Sequence, residues 1–300
     1  MPQSERKSYI LGLFLGALAF TIWGLLPLYW KLVNALNPYQ IFSHRVIWSL
    51  IFLVVIMVLK KELSSFITLI KEPKLWLKVL APAVFISINW LVYIWSVNSG
   101  YVIEASLGYY INPLVLTLFG FIFFKERLSK LQILGLTLAA LGVLYKTLTY
   151  GQFPFIALIL AVSFAIYGLL KKWSNLSSIK GLSFETLIVG IPALIFLMNQ
   201  EVSGVGISGR LPIGFWLLIA LSGIATATPL ILYAESTKRL PLNVIGFLQY
   251  ISPTISLVLG IFIFNENFDS NSLIAFIMIW SGLICFSVAQ YIKLKGMNRI

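Results

Sequence analysis

The chain has 300 residues, of which 59% are hydrophobic and 11% charged, with a formal net charge of +12 and a mean hydropathy of +0.94. Soluble domains carry roughly a quarter charged residues, so this balance excludes a water-soluble enzyme or binding module and requires an integral membrane protein. A single cysteine, Cys285, excludes an internal disulfide and any multi-cysteine metal site.

Crossing a bilayer core takes about 20 apolar residues. Such runs fall at 9–30, 39–59, 76–97, 104–124, 130–147, 154–171, 182–199, 213–236, 243–264 and 271–292. The reading is all-α with ten transmembrane helices and no soluble domain. The first run is too long for a secretory h-region and no small-residue cleavage site follows it, so it is read as retained. It carries Trp23 and Pro27, and the small residues Gly12 and Gly16 at helical spacing.

The second run opens on "SHRVIWS", where the only histidine, His44, precedes Arg45. These stand five and six residues past Tyr39, roughly 8–9 Å along a helix, below the surface. An intramembrane cation must face the bundle interior or water and find a partner. Arg45 is a candidate for gating or solute contact, against snorkelling to headgroups or pinning loop carbonyls. His44 titrates near neutrality and is a candidate proton carrier.

The third run holds Asn89, Trp90 and Tyr93, and the fourth opens on Glu104 and continues through Tyr110, Asn112 and Pro113 to Glu126. Amides facing lipid are costly, so Asn89 and Asn112 are expected to point toward a helix partner or solute. Glu104 suits a helix N-terminus. Pro113 and Pro253 remove backbone hydrogen bonds near the middle of their runs, and freed backbone is tolerated there only against protein or a cavity; Pro27 and Pro229 add further expected breaks. Gly135 and Ala139 in the fifth run, like Gly12 and Gly16, allow close helix packing and leave a homodimer contact open. Tyr167 lies in the sixth run, Glu185 in the seventh, Glu235 near the end of the eighth, and Gln249 and Tyr250 beside Pro253 in the ninth. Glu185 follows the basic segment ending at Lys180. A carboxylate there is expensive unless paired or protonated, as a proton-coupled carrier requires, or else is kept wet at the interface. Glu235, with Lys238 and Arg239 following, reads as an interface ion pair.

The distribution of positive charge sets orientation. With the N-terminus inside, inner segments hold 18 Lys and Arg residues and outer loops hold three, Lys31, Lys146 and Arg210. By the positive-inside rule both termini are cytoplasmic. The same distribution argues against a nucleic-acid partner.

Sliding the chain by 140 residues aligns "YINPLVLTLFGFIFFKE" (110–126) with "YISPTISLVLGIFIFNE" (250–266) without a gap. Tyr93 then pairs with Tyr233, Ser96 with Ser236, Gly142 with Gly282 and Glu126 with Glu266, while "FTIWGLL" (20–26) matches "FAIYGLL" (164–170). The halves are 1–147 and 148–300, five spans each. An odd number of crossings makes the repeats inverted, a signature of secondary transporters, although duplication that merely builds a bundle gives the same pattern.

The blocks "IWGLLPLYWK" (22–31), "SHRVIWS" (43–49), "NWLVYIWSVNSGYVIEASLGYYINPL" (89–114), "FETLIVGIP" (184–192) and "GFLQYISPT" (246–254) resemble the ten-span drug/metabolite transporters with paired EamA domains, and among them the RarD-type permeases called chloramphenicol-sensitive proteins. The resemblance implies an inner-membrane permease for a small organic solute. It departs at Gln40, where the family carries a glutamate before the His-Arg pair, so a coupling role for that carboxylate does not transfer.

The expected function is alternating-access transport, with export of an amphipathic metabolite or drug-like solute as the direction implied by the resemblance. The expected lining is Trp23, Asn89, Trp90, Tyr93, Tyr110, Asn112, Tyr167, Gln249 and Tyr250, with His44, Arg45 and Glu185 as gating or proton-linked candidates. No P-loop, zincin or serine-hydrolase motif is present, so gradients supply the energy, and no cofactor or metal is expected; the partners are solute and membrane lipid. The rivals are a lipid-acting membrane enzyme using His44 as base, with Ser43 and Ser49 the nearby hydroxyls, and a non-transporting scaffold.

Overall fold

A computed structural model describes residues 3–33, 35–99, 101–208, 211–263 and 270–296. They form α1 (Gln3–Leu32), α2 (Pro38–Leu59), α3 (Leu63–Ile70), α4 (Pro73–Asn98), α5 (Val102–Phe124), α6 (Lys130–Tyr150), α7 (Phe155–Trp173), α8 (Ser178–Val202), α9 (Ile213–Arg239), α10 (Leu242–Gln249), α11 (Ile251–Phe262) and α12 (Ser270–Gly296), with no strand among them. Ten helical spans are long and apolar enough to cross a bilayer, α10 and α11 together making one. Helices satisfy their own backbone groups, the condition for crossing hydrocarbon. Their outer faces show large apolar side chains, among them Phe14, Leu77, Phe121, Ile195, Leu217 and Phe262, which suits lipid and not water. Arg210, Glu266 and Arg299 lie outside the described residues.

The ten expected spans each coincide with a helical segment, and the structure adds α3, whose Phe66 packs with Met57, Val79 and Phe184 at one end of the bundle. Of the prolines expected to break helices, Pro27, Pro113 and Pro229 sit inside uninterrupted helices. Only the ninth span divides. Pro253 has no N–H for the Gln249 carbonyl, and the chain tightens at Tyr250, whose N–H bonds the Phe247 carbonyl at 3.2 Å. In α5 the carbonyl of Pro113 instead accepts from Thr117 Oγ1 at 2.8 Å.

The helices pack in pairs that map onto one another when the halves are exchanged: α1 on α9 corresponds to α7 on α4, α2 on α9 to α8 on α4, and α5 on α7 to α1 on α10 and α11. The self-corresponding pairs are α2 with α8, α5 with α10, and α6 with α12. At the last, a Cβ on Gly135 would lie 2.7 Å from the Gly282 carbonyl oxygen, and one on Gly142 would lie 2.7 Å from that of Ala275. Gly135 aligns with Ala275, and Gly142 with Gly282, so each residue meets the counterpart of the other. Gly12 faces Arg239 and Leu240, and Gly16 faces Ser236 and Leu248. Both small-residue stripes are thus occupied within the chain and give no support to a homodimer.

Candidate functional site

At the centre lies a cavity of about 20 Å³ lined by Val46 and Ser49 of α2, Ile86 and Trp90 of α4, Tyr167 of α7, Glu185 and Thr186 of α8, and Thr226 of α9, with apolar neighbours. Both halves contribute walls. The volume suits one water molecule.

On one side of it, Glu185 is 4% exposed and paired with Lys171, Nζ to Oε1 2.8 Å, while the Tyr167 hydroxyl donates to Oε2 at 3.3 Å. Lys171 is itself buried. Buried charges persist where they are paired and hydrogen-bonded. The carboxylate finds its partner in a lysine that the charge distribution counted among the inner segments.

On the other side, Arg45 bonds to a helix side chain and not to a loop carbonyl. Its Nε donates to Thr226 Oγ1 at 3.0 Å, and its guanidinium carbon stands 4.6 Å from the ring centroid of Trp30 and 5.3 Å from that of Trp90. Tyr109, Tyr93 and Tyr29 stand near it. His44 turns elsewhere, onto Trp216 with centroids 6.4 Å apart. The two neighbours in sequence therefore do not act as one cluster, because successive helical residues point about 100° apart. Gln40, in place of the family glutamate, completes a capping box with Asn37 and donates to the Val205 carbonyl at 2.7 Å.

Beside Tyr167, the rings of Phe20, Trp23, Phe164 and Tyr233 pack at centroid separations of 5.4–6.2 Å. Trp23 is thus part of an aromatic wall. The Tyr233 hydroxyl presses against Gly168 and has no hydrogen-bond partner among the described residues. Tyr93, the counterpart of Tyr233, is 38% exposed and packs on Tyr109.

The remaining expected lining residues lie between helices and not on the cavity. Asn89 Nδ2 donates to the Leu160 carbonyl at 2.8 Å and to Ser163 Oγ at 3.1 Å, and Asn112 Nδ2 donates to the Ala161 carbonyl at 2.5 Å. Both amides pin α7, the helix-partner outcome expected for them. Tyr250 donates to the Tyr110 carbonyl at 3.1 Å, the Tyr110 ring meets Phe276, and Gln249 is buried between helices. Pro113 approaches Gly246, where a Cβ would lie 2.7 Å from the Pro113 carbonyl oxygen. Lys171, Thr226, Trp30 and Tyr109 belong to the site but were not singled out in the sequence. Trp30 lies within the "IWGLLPLYWK" block and Tyr109 within the block at 89–114, while Lys171 and Thr226 carried no local signal.

The end of the bundle holding the start of α1 is closed by polar ties. Lys172 donates to the carbonyls of Leu240 and Thr237, and Lys238 donates to that of Leu176. Glu126 caps α10 by accepting from the N–H groups of Leu242 at 2.6 Å and Asn243 at 2.9 Å, with Lys172 4.0 Å away. Glu104, at its own helix start as expected, also accepts from the Ile156 N–H of α7 at 2.7 Å. Glu235 pairs with Arg239, as expected.

The EamA-like transporter family matches residues 10–147 and 154–288, one copy in each half. An uncharacterized transporter of Bacillus subtilis, YojE, is 44% identical over 298 residues, 97% of both chains. Protein RarD of Escherichia coli is 39% identical over 282 residues, 94% of this chain and 95% of that one. A crystal structure of another protein shares the fold with a TM-score of 0.70 at 18% identity, covering 93% of this chain and 98% of the other. With the ten spans and the central cavity, these matches show that the chain belongs to the EamA-like transporter family and is a multi-pass membrane transporter of the drug/metabolite type.

Proposed function

We propose that the protein is a secondary transporter of a small organic, amphipathic solute, working by alternating access between inverted five-helix halves, in the export direction across the inner membrane with both termini in the cytoplasm. The observation that carries this reading is a central cavity walled by helices of both halves, with a buried ion pair on one side and a partly buried guanidinium on the other. Small-molecule sites enclose about 300–1,000 Å³, far more than the 20 Å³ here. Admitting a solute therefore requires the halves to part, and pairings that correspond between halves let the same separation occur at either end. Glu185, bonded to Lys171 and Tyr167, is the proton-linked candidate; Arg45, bonded to Thr226, is the candidate gate or solute contact, and His44, against Trp216, a candidate gate component.

The test is uptake and counterflow in proteoliposomes of defined orientation, with and without an imposed pH gradient, using chloramphenicol, amino acids and small aromatic acids and amides as probes. Solute recovered chemically unchanged and moved faster than in empty vesicles supports the reading. Solute converted to product, or no movement of any probe by protein that is folded and inserted, overturns it.

A further inference from the structure

We infer that Arg45 is the carboxylate-binding residue of the transport site, and that the solute is an organic anion or zwitterion whose carboxylate seats on the guanidinium while its apolar or aromatic body lies toward Trp90 and the Tyr167 wall. This rests on the transporter reading above and deepens it.

Five observations converge. Arg45 is the eighth residue of α2, roughly 10 Å along the helix, at a depth where an uncompensated cation is costly. Its side chain turns into the bundle and touches α1, α4 and α9 through Trp30, Trp90 and Thr226. No described carboxylate pairs with it. Thr226 Oγ1 occupies Nε and the indoles stand against the guanidinium, so the terminal nitrogens remain for an acceptor. Trp90 and Thr226, which hold the guanidinium, also line the cavity, so an anion bound there sits at its mouth.

A guanidinium held by one nitrogen and by its flanking rings presents a fixed two-donor edge, the geometry that matches a carboxylate. A neutral amide of the same shape offers one acceptor and no charge. The cationic surroundings of Lys171 do not compete, because Glu185 already neutralises them.

The test uses the full-length purified chain and isosteric pairs: phenylacetate with phenylacetamide, and benzoate with benzamide. Thermal stability is read against concentration of each. The expected result is that an acid stabilises the protein and its amide does not, with an apparent affinity that falls about tenfold or more in Arg45→Gln, the loss of a charge-assisted pair. Arg45→Lys keeps the charge without the fork and retains the acid preference at reduced affinity. Thr226→Val, which frees Nε, weakens acid binding several-fold and serves where Arg45→Gln does not fold. Equal stabilisation by acid and amide, no stabilisation by any acid, or an acid preference that persists in folded Arg45→Gln would overturn the assignment. So would loss of the preference on adding an anionic phospholipid, which would give the guanidinium to a lipid phosphate. Transport separates the two readings: a neutral solute carried equally by wild type and Arg45→Gln removes the carboxylate site and leaves the transporter. Arg45-dependent acid binding without movement does the reverse.

Discussion

Lys171 Nζ lies 2.8 Å from Glu185 Oε1, both side chains almost wholly buried, so the last turn of α7 and the eighth residue of α8 are joined by one ion pair beside the central cavity. Removing either partner strands a charge. Lys171→Met and Glu185→Gln are each expected to cost about 3–5 kcal/mol, and the double substitution to recover most of that loss. Unfolding of the four proteins in detergent measures it, and additive losses would show that the two groups are not coupled.

The same carboxylate separates stability from coupling. In Glu185→Gln vesicles, flux driven by a pH gradient is expected to vanish while downhill exchange continues. Gradient-driven uptake at the wild-type rate would remove Glu185 from the proton path.

Asn89 and Asn112 are expected to hold α7 rather than solute, since their amide nitrogens are engaged by carbonyls of Leu160 and Ala161. Asn89→Ala and Asn112→Ala should each lower stability by about 1 kcal/mol or more with half-saturation for any transported probe unchanged. A shift in half-saturation at unchanged stability would return these residues to the solute.

The seam between α6 and α12 tolerates no added carbon. A Cβ on Gly282 would lie 2.5 Å from the Gly135 carbonyl oxygen, and Gly282→Ala is expected to destabilise by about 1–3 kcal/mol through overpacking. Gly214, with nothing within 4 Å of the added atom, is the matched control and should lose little. Thermal unfolding of both variants decides, and equal behaviour would contradict the packing.

Glu126→Gln should loosen the start of α10, because the charge that accepts from Leu242 and Asn243 disappears. A cost of about 1 kcal/mol follows from capping energetics, and Glu126→Asp, too short to reach both groups, should behave similarly. Wild-type stability in both would show that the cap contributes nothing.

The spans were legible because lipid imposes a long apolar run on every crossing, and the repeat because aligned residues such as Pro113 and Pro253 survive without gaps. The consequences of those prolines were not legible: one helix runs on and the other divides, since the outcome depends on which neighbours accept the freed groups. Lys171 escaped notice for a related reason. At the end of an apolar run a lysine reads as interfacial, and only the short turn from α7 into α8 brings Glu185 to it. Arg45 was legible as a group in need of a polar partner, but its contacts with Trp30, Trp90 and the sequence-distant Thr226 depend on how four helices pack.

Lys172 and Lys238 cross over: each projects from the end of its own helix to a backbone oxygen at or just beyond the end of the other. Carbonyls at helix ends have no partner within the helix, and water can serve them as well as an ammonium can. The tie between α7 and α9 is therefore a solvent-replaceable latch, chemically complete whether fastened or undone. Under the alternating-access proposal, opening that end hydrates two lysines and three carbonyls, those of the buried Thr237 and Leu240 among them, and lengthening either helix past its last turn would take away the oxygens on which the latch closes.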